Sequence, residues 1–239
     1  MTAMIFITGV SSGLGLALAK ASLASGARVY GISRREPKEL SGRPDFHFAS
    51  VDLSRLDGIA AAVRRLLHGV DRLDLVILNA GVLGEIGDLG GAPLERMRQL
   101  MDVNLWANHP VLEAVFDPLS REVTQVVAIS SGAAVSGSRG WNAYAISKAA
   151  LNMMMKVYAA ERPETHFSAL APGLVDTAMQ EKMRGLPVDP RFPTVDRLKR
   201  AEGTAEMPDP DTAAPRILEA IGRLAALKSG DFHDIRTLH

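Results

Sequence analysis

The 239-residue chain contains no cysteine, has no excess charge of either sign and has no long hydrophobic run. Without cysteine there are no disulfides, thiolate nucleophiles or Cys-ligated zinc, which fits a cytoplasmic protein. Because 27 Lys and Arg balance 27 Asp and Glu, the overall charge does not favour nucleic acid or an anionic membrane as a partner. No apolar stretch approaches the ~18 residues that span a bilayer, and Met1–Thr8 lacks the basic and long apolar regions of a signal peptide. We therefore expect a soluble, cytoplasmic protein without membrane or nucleic-acid partners.

Metal binding is not expected either. The six histidines show no ligand spacing and have no cysteine to support them, whereas protein zinc sites draw on clusters of such side chains. We interpret the histidines as surface or packing residues.

Short apolar segments alternate with longer segments of helical periodicity along most of the chain. The strand candidates are Met4–Thr8, Arg28–Ser33, Phe46–Ser50, Asp74–Asn79, Val123–Ser130, His166–Ala171 and Phe232–Ile235. The helical candidates are Gly13–Ser25, Leu56–His68, Leu94–Leu119 with a break around Ala107–Pro110, Ala143–Ala160 and Thr212–Leu227. The alternation predicts an α/β fold, with a doubly wound parallel sheet of about seven strands and helices on both faces. We expect one domain over residues 1–239.

One segment, Leu174–Asp211, interrupts the alternation with five prolines and many charges. Long insertions of this kind are usually functional lids or disordered linkers. Because no second domain follows for a linker to join, we favour a substrate lid over residues 174–211 that contains a short helix.

A glycine-rich turn follows the first strand candidate and leads directly into an apolar helix: Thr8-Gly9-Val10-Ser11-Ser12-Gly13-Leu14-Gly15. A dinucleotide pyrophosphate needs backbone N–H groups at a helix N-terminus, a tight turn, and no Cβ where the phosphate approaches. Gly9, Gly13 and Gly15 meet these needs. A simple tight turn would also use glycine, but the strand before and the helix after favour a cofactor loop.

Further motifs follow at predicted strand ends and helices. They are Asn79-Ala80-Gly81 after the fourth strand, Asn104 in the next helix, Ser131 after the fifth strand, Tyr144-Ala-Ile-Ser-Lys148 thirteen residues later, and Pro172-Gly173-Leu-Val-Asp-Thr177 after the sixth strand. Together with the TGxxxGxG turn, they resemble the short-chain dehydrogenase/reductase family in its single-domain form. Leu78 stands where the family's NNAG motif has its first Asn. The resemblance implies a Rossmann fold and a nicotinamide-dependent oxidoreductase.

The resemblance also implies roles for four catalytic residues. Tyr144 would donate the proton in carbonyl reduction, Lys148 would hold the nicotinamide ribose, Ser131 would bind the substrate oxygen, and Asn104 would bind a water that resupplies protons. Tyr144 and Lys148 are four residues apart, so they share one helix face. Since a free Tyr has a pKa of ~10, we expect the nearby ammonium to lower the pKa of Tyr144.

The second strand candidate ends in Ser33-Arg34-Arg35, without an acid. A carboxylate at this position would bind the ribose diol of NAD and repel a 2′-phosphate, whereas a hydroxyl and a guanidinium favour the phosphate. We therefore predict NADP(H) rather than NAD(H). The predicted cofactor-binding residues are Gly9, Ser11, Ser12, Gly13, Leu14, Gly15, Ser33, Arg34, Asp52, Leu53, Asn79, Ala80, Gly81, Tyr144, Lys148, Pro172, Gly173, Val175 and Thr177.

The C-terminal stretch Lys228-Ser-Gly-Asp-Phe-His-Asp234 resembles the ending of the sepiapterin reductases and benzil-reductase-like members of that family. In sepiapterin reductases, the Asp at the Asp234 position anchors the pteridine amino groups, which a carboxylate can do through two parallel N–H bonds. A locally paired Asp in a terminal strand is the alternative. The predicted substrate is a small ketone or diketone, bound by Ser131, Trp141, Tyr144 and Asp234.

Two other functions stay open: a 3-oxoacyl-thioester reductase of fatty-acid synthesis, and an NADPH-sensing regulator without catalysis. Assembly is open as well. Three consecutive side chains, Met153-Met154-Met155, lie on the helix of Tyr144 and cannot all face one core, so core packing and a subunit interface both account for them. Family members dimerise through this helix and the one before it, so the resemblance implies a homodimer or homotetramer.

Overall fold

The computed structural model describes residues 2–117 and 121–238. Its strands are β1 (Met4–Thr8), β2 (Arg28–Ser33), β3 (Phe46–Ser50), β4 (Arg72–Leu73), β5 (Leu75–Leu78), β6 (Glu122–Val123), β7 (Gln125–Ile129), β8 (His166–Ala171) and β9 (Phe232–Asp234). Its helices are α1 (Gly13–Ala24), α2 (Ile59–Leu66), α3 (Leu94–Met101), α4 (Asn108–Val115), α5 (Ala133–Ser136), α6 (Asn142–Glu161), α7 (Ala178–Arg184), α8 (Pro193–Ala201) and α9 (Pro210–Leu224). Short 3₁₀ turns cover Leu89–Gly91 and Ile235–Thr237.

Seven strands form one parallel sheet in the order β3-β2-β1-β5-β7-β8-β9. The remaining strands, β4 and β6, pair with each other in a separate ladder. The chain builds outward from β1 in one direction and from β5 in the other, which opens a crevice at the carboxyl ends of the strands. The predicted seven-stranded, doubly wound fold is confirmed.

Helices cover both faces of the sheet because successive strand residues point to opposite sides and both sets are apolar. Phe6 on β1 belongs to the core shared with α2, α4 and α6, where Leu112 and Leu151 are fully buried. Its neighbour Ile7 belongs to the core shared with α1 and α9, where it meets Leu18. The two layers hold the strand ends, and hence the crevice, in fixed positions.

The predicted division of the α3–α4 segment into two helices around Ala107–Pro110 is confirmed in part, since α4 begins at Asn108 after a turn at Ala107. The irregularity lies earlier, in a π-helical turn over Asp102–Trp106 that joins α3 to α4. There the Ala107 N–H donates to the carbonyl of Asp102, five residues back, over 2.8 Å. Pro110 lies in the first turn of α4, where a missing N–H is tolerated. The end of the predicted helix Leu94–Leu119 lies outside the described residues.

Other element boundaries differ from the prediction for local reasons. The helix predicted over Leu56–His68 begins only at Ile59, because Gly58 adopts a φ of 86°. The last long helix, predicted over Thr212–Leu227, begins at Pro210, where the Asp209 carboxylate caps it by accepting from the Thr212 N–H. The strand predicted over Val123–Ser130 is divided between β6 and β7, and the one over Asp74–Asn79 is confined to β5.

The segment 174–211 contains two helices, α7 and α8, rather than the single short helix predicted. Val195, Leu198 and Ala201 form the buried face of α8. Leu198 and Met183 of α7 join a small apolar cluster with Trp141 and Tyr144. The segment therefore packs over the carboxyl ends of the strands.

Two kinds of feature are absent from the described part of the chain. None of the helices in residues 2–117 and 121–238 is long and apolar enough to cross a membrane. Within the same ranges, no group of three or more His, Asp or Glu side chains is placed to hold a metal ion.

Candidate active site

A cavity of about 680 Å³ opens along the carboxyl ends of the seven strands. Because these ends meet at one edge of a parallel sheet, residues far apart in sequence gather there. All the residues predicted to bind cofactor or substrate line this cavity. Of the predicted catalytic residues, Ser131, Tyr144 and Lys148 line it, while Asn104 is fully buried behind its wall.

The glycine-rich turn folds tightly against the start of α1. A Cβ on Gly15 would lie 2.1 Å from the Gly9 carbonyl oxygen and 2.4 Å from Asn79 Nδ2, so no larger residue fits there. Gly9 itself has a φ of 78°, a left-handed conformation that glycine adopts without strain. The Ser12 side chain precedes α1 without capping it. The turn therefore leaves a bare helix N-terminus beside an uncommitted hydroxyl, which is the environment that a pyrophosphate needs.

Replacing Gly15 with Ala is expected to lower the free energy of unfolding by about 3 kcal/mol, because the new methyl overlaps backbone atoms that cannot move aside. Thermal unfolding measures this change. Gly222→Ala is the matched control, since nothing lies within 4 Å of its Cβ position in α9. Equal unfolding midpoints for the two variants would contradict the packing described.

Asn79 ties the glycine-rich turn to the end of β5. Its side-chain amide donates to the Thr8 carbonyl over 3.0 Å. In return, the backbone N–H groups of Asn79 and Ala80 both donate to Thr8 Oγ1, each over 3.0 Å. Asn79 therefore fixes the wall of the cavity between β1 and β5.

At the far end of the cavity, the Arg34 side chain is exposed and its guanidinium has no hydrogen-bond partner among the described residues. Hydrogen bonds from Ser54 are the main cause of the lowered pKa of Asp52, and the positive charge of Arg34 lowers this pKa further. The Ser33 hydroxyl behaves differently from the prediction, since it donates its proton to the Arg35 carbonyl over 2.8 Å. Arg34 is therefore the group that remains available for an anion.

Tyr144, Lys148 and Ser131 lie together at the opposite end of the cavity. Tyr144 and Lys148 project from one face of α6, with the Lys148 Nζ 5.9 Å from the centre of the Tyr144 ring. Lys148 is 4% exposed, and its ammonium donates to the Ile129 carbonyl over 2.8 Å. Ser131 follows β7, and its hydroxyl accepts from the Ala133 N–H.

The electrostatics of this group differ from the prediction. Burial raises the pKa of Tyr144, and the hydrogen bond with Ser131 opposes that rise only in part. Burial lowers the pKa of Lys148 to about 8. The expected lowering of the Tyr144 pKa is wrong for this structure, because desolvation dominates the net shift.

Asn104 lies on the π-helical turn and connects two walls of the site. Its Oδ1 accepts from the Val82 N–H over 2.7 Å, and its Nδ2 donates to the Val82 carbonyl and to Ser147 Oγ. Ser147 in turn donates to the Tyr144 carbonyl over 2.7 Å. Both amide hydrogens of Asn104 are thus used in holding α6 against the loop after β5.

The remaining predicted substrate residues lie beyond Tyr144. The Trp141 and Tyr144 rings are 5.8 Å apart, and Trp141 forms part of the cavity wall. The Asp234 carboxylate is not free, because Arg236 binds it through two hydrogen bonds of 2.9 Å and 2.5 Å. Sequence reasoning missed Arg236, although a basic residue two positions after an acid was a usable signal.

The sheet order and the cleft across its switch point define a Rossmann-fold protein. The family model for short chain dehydrogenases matches residues 3–185. The chain belongs to that family of oxidoreductases, which use NAD(P)(H).

Individual relatives agree with this assignment and confirm the predicted resemblance. Benzil reductase of Bacillus subtilis is 30% identical over 246 residues, which cover 98% of each chain. Sepiapterin reductase of Rattus norvegicus is 31% identical over 258 residues, covering 98% of this chain and 97% of the relative. Among solved structures, the KRED1-Pglu enzyme superposes with a TM-score of 0.82 at 25% identity, covering 97% of this chain and 100% of that one.

Proposed function

We propose that the protein is an NADPH-dependent reductase of small ketones or diketones, with Tyr144 as the proton donor. The main support for the proposal is the arrangement of residues along the cavity. Ser131, Tyr144 and Lys148 gather at one end, and the glycine-rich turn and Arg34 lie toward the other. Relatives named benzil reductase and sepiapterin reductase, which match nearly the whole chain, support the substrate class.

The residues present fit a dinucleotide. The N-terminus of α1 and the bare backbone from Gly9 to Gly15 suit the pyrophosphate. The exposed guanidinium of Arg34 suits a 2′-phosphate, and no acid stands at Ser33 to repel it. When bound, NADPH supplies the hydride for reduction.

The chain's own residues supply the proton and the orientation. Ser131 binds the carbonyl oxygen and orients it toward Tyr144. Because burial raises its pKa, the Tyr144 phenol stays protonated at neutral pH and donates its proton to that oxygen. Lys148, with a pKa of about 8, is mostly protonated at neutral pH and stabilises the phenolate left behind. Asn104 is a positioning residue that holds α6 through Ser147.

We also propose that residues 1–239 form one domain in which 174–211 acts as the substrate lid. An ion pair anchors the middle of this lid, since Arg191 lies 3.6 Å from Asp88, which also accepts two hydrogen bonds from Arg139. Phe192 packs beside Gly140, where a Cβ would lie only 2.8 Å from its ring. The proposed lid thus closes the substrate end of the cavity from above.

A homodimer is proposed from the outer face of α6. Ile146, Met153 and Val157 are 43%, 59% and 48% exposed and form one helical stripe, and Ile146 lines a small surface cavity together with the half-exposed Trp106. Met155, by contrast, is fully buried, so the methionine run serves both core and surface. Contiguous exposed apolar side chains of this kind typically form interfaces. Light scattering should give a dimer, and a monomer would contradict the proposal.

A panel of carbonyl compounds tests the proposed function. Oxidation of NADPH and NADH is followed with benzil, sepiapterin, acetophenone and an acetoacetyl thioester. We expect turnover of the compact aromatic substrates with NADPH. Turnover of the thioester alone would instead indicate a 3-oxoacyl-thioester reductase. NADPH binding without any turnover would indicate a cofactor-sensing regulator, and either outcome would overturn the proposal.

Carbonyl reduction is expected to fall as the pH rises through about 8, the pKa of Lys148. Above that pH the ammonium loses the proton that stabilises the Tyr144 phenolate, whereas below it the charge is retained. The kcat/KM for the carbonyl substrate at saturating NADPH measures the profile. A Lys148→Arg variant, whose guanidinium stays protonated, should lose the decline in its residual activity. An unchanged wild-type rate up to about pH 10 would contradict this role.

A further inference from the structure

We infer that Arg236, held in place by Asp234, selects substrates that carry a second, neutral carbonyl oxygen next to the carbonyl that is reduced. The inference rests on the proposed function and names the substrate class more narrowly, as vicinal dicarbonyl compounds. It assigns Asp234 a different role from the one predicted. Asp234 is a positioning residue, and Arg236 is the group that meets the substrate.

The pair is well defined at the substrate end of the cavity. The Asp234 side chain is 15% exposed and accepts from the Arg236 Nε and Nη2 groups, as well as from its backbone N–H over 3.0 Å. This pairing holds the pKa of Asp234 below its usual value, so the carboxylate stays ionised. The Arg236 side chain is 56% exposed and lines the cavity. The guanidinium is therefore both oriented and accessible.

The donors and acceptors of the pair determine what it can recognise. A guanidinium has five N–H groups, and Asp234 uses two of those on Arg236. The other three have no acceptor among the described residues, so Arg236 presents donors to the cavity. An amino group on a substrate is itself a donor and would have to displace Arg236 from Asp234. A substrate oxygen, in contrast, binds Arg236 while the pair stays intact.

Charge favours a neutral oxygen over a carboxylate. The Asp234 carboxylate neutralises Arg236, so the pair offers hydrogen bonds without net charge. Arg197 of α8 also lines the cavity, and its guanidinium has no ion-pair partner in the described ranges. It is exposed to solvent, where its attraction for an anion is screened. We therefore infer that the preferred substrate is a neutral dicarbonyl compound. An oxo acid serves as the charged comparison substrate in the test.

The position of the pair matches adjacent carbonyl groups. A Cβ built on Gly132 would lie 3.6 Å from Arg236 Nη2 and 4.0 Å from Asp234 Oδ2. Gly132 directly follows Ser131, which binds the oxygen of the reacting carbonyl in the proposed function. A group beside Gly132 therefore lies where the oxygen of a neighbouring carbonyl would be. The missing Cβ keeps this space open.

The test compares benzil, acetophenone, phenylglyoxylate and sepiapterin as substrates of the wild type and of Arg236→Met. The variant should lower the benzil to acetophenone ratio of kcat/KM by about tenfold, because only benzil loses a charge-assisted hydrogen bond. Asp234→Asn should shift the ratio in the same direction, since it releases Arg236. Arg223→Met is the control, because Arg223 forms a similar pair with Glu219 on the far surface of α9. The control should leave the ratio unchanged.

Three results would overturn the inference. They are an unchanged ratio in Arg236→Met, a wild-type preference for phenylglyoxylate over benzil, and a loss confined to sepiapterin in Asp234→Asn. If no substrate is turned over, the proposed function is refuted. The role of Arg236 is then tested by the affinity for benzil instead of by turnover. Benzil binding to the NADP⁺ complex, followed by tryptophan fluorescence, should then weaken about tenfold in Arg236→Met, and unchanged binding would overturn it.

Discussion

Replacing Tyr144 with Phe is expected to lower kcat for carbonyl reduction by about 10³-fold, the usual contribution of a positioned general acid. The ring remains and keeps its contact with Trp141, so the apolar packing of α6 is preserved. Only the hydroxyl near Ser131 is lost. Steady-state kinetics with NADPH and benzil measure the change.

The affinity for NADPH serves as the internal control for this variant. The glycine-rich turn and Arg34 are not altered, so cofactor binding measured by fluorescence should stay within about twofold. Tyr158→Phe provides a matched tyrosine on the same helix, where it stacks on Phe167 outside the cavity. Near wild-type turnover in Tyr144→Phe, or an equal loss in both variants, would refute the assignment of Tyr144 as proton donor.

Replacing Arg34 with Gln is expected to lower kcat/KM for NADPH by about 10²-fold and to leave NADH nearly unaffected. The reason is that a charge-assisted hydrogen bond to the 2′-phosphate contributes ~3 kcal/mol to binding. The guanidinium of Arg34 can form this bond, since it lines the cavity toward the glycine-rich turn. Cofactor preference is measured as the ratio of the two kcat/KM values with one carbonyl substrate.

Arg35→Gln is the control for the neighbouring charge, since Arg35 contacts Ser33 through its backbone carbonyl alone and its side chain does not line the cavity. It should change the cofactor ratio little. If Arg34→Gln weakens NADPH and NADH equally, or if wild-type protein uses both with the same kcat/KM, then the predicted preference for NADPH is wrong.

Much of the fold follows from the sequence because its signals are local. Apolar runs such as Met4–Thr8 and His166–Ala171 become strands with the predicted boundaries. The glycine spacing and the strand ends place cofactor-binding candidates from Gly9 to Thr177 along one edge of the sheet. Parallel topology then brings them together without further information.

What the sequence could not predict depends on contacts between distant or buried groups. No residue pattern in the sequence predicts the π-helical turn that carries Asn104. The side chain of Asn104 is hydrogen-bonded to Val82 and Ser147, which are distant in sequence. The shifted pKa of Lys148 arises from burial, which only the packed structure determines. The sequence motif around Asp234 is similar to a substrate anchor, but it does not predict that Arg236 donates to this carboxylate.

The most direct test of the account is the fate of the hydride. NADPH carrying deuterium at the transferable C4 position is incubated with benzil and the protein, and the product is analysed by mass spectrometry. We predict benzoin with one deuterium on its carbinol carbon, because the proposed function has the carbonyl bound beside Ser131 and Tyr144, where it would receive a hydride from NADPH. Benzil left unreduced, or benzoin without deuterium, would contradict the account.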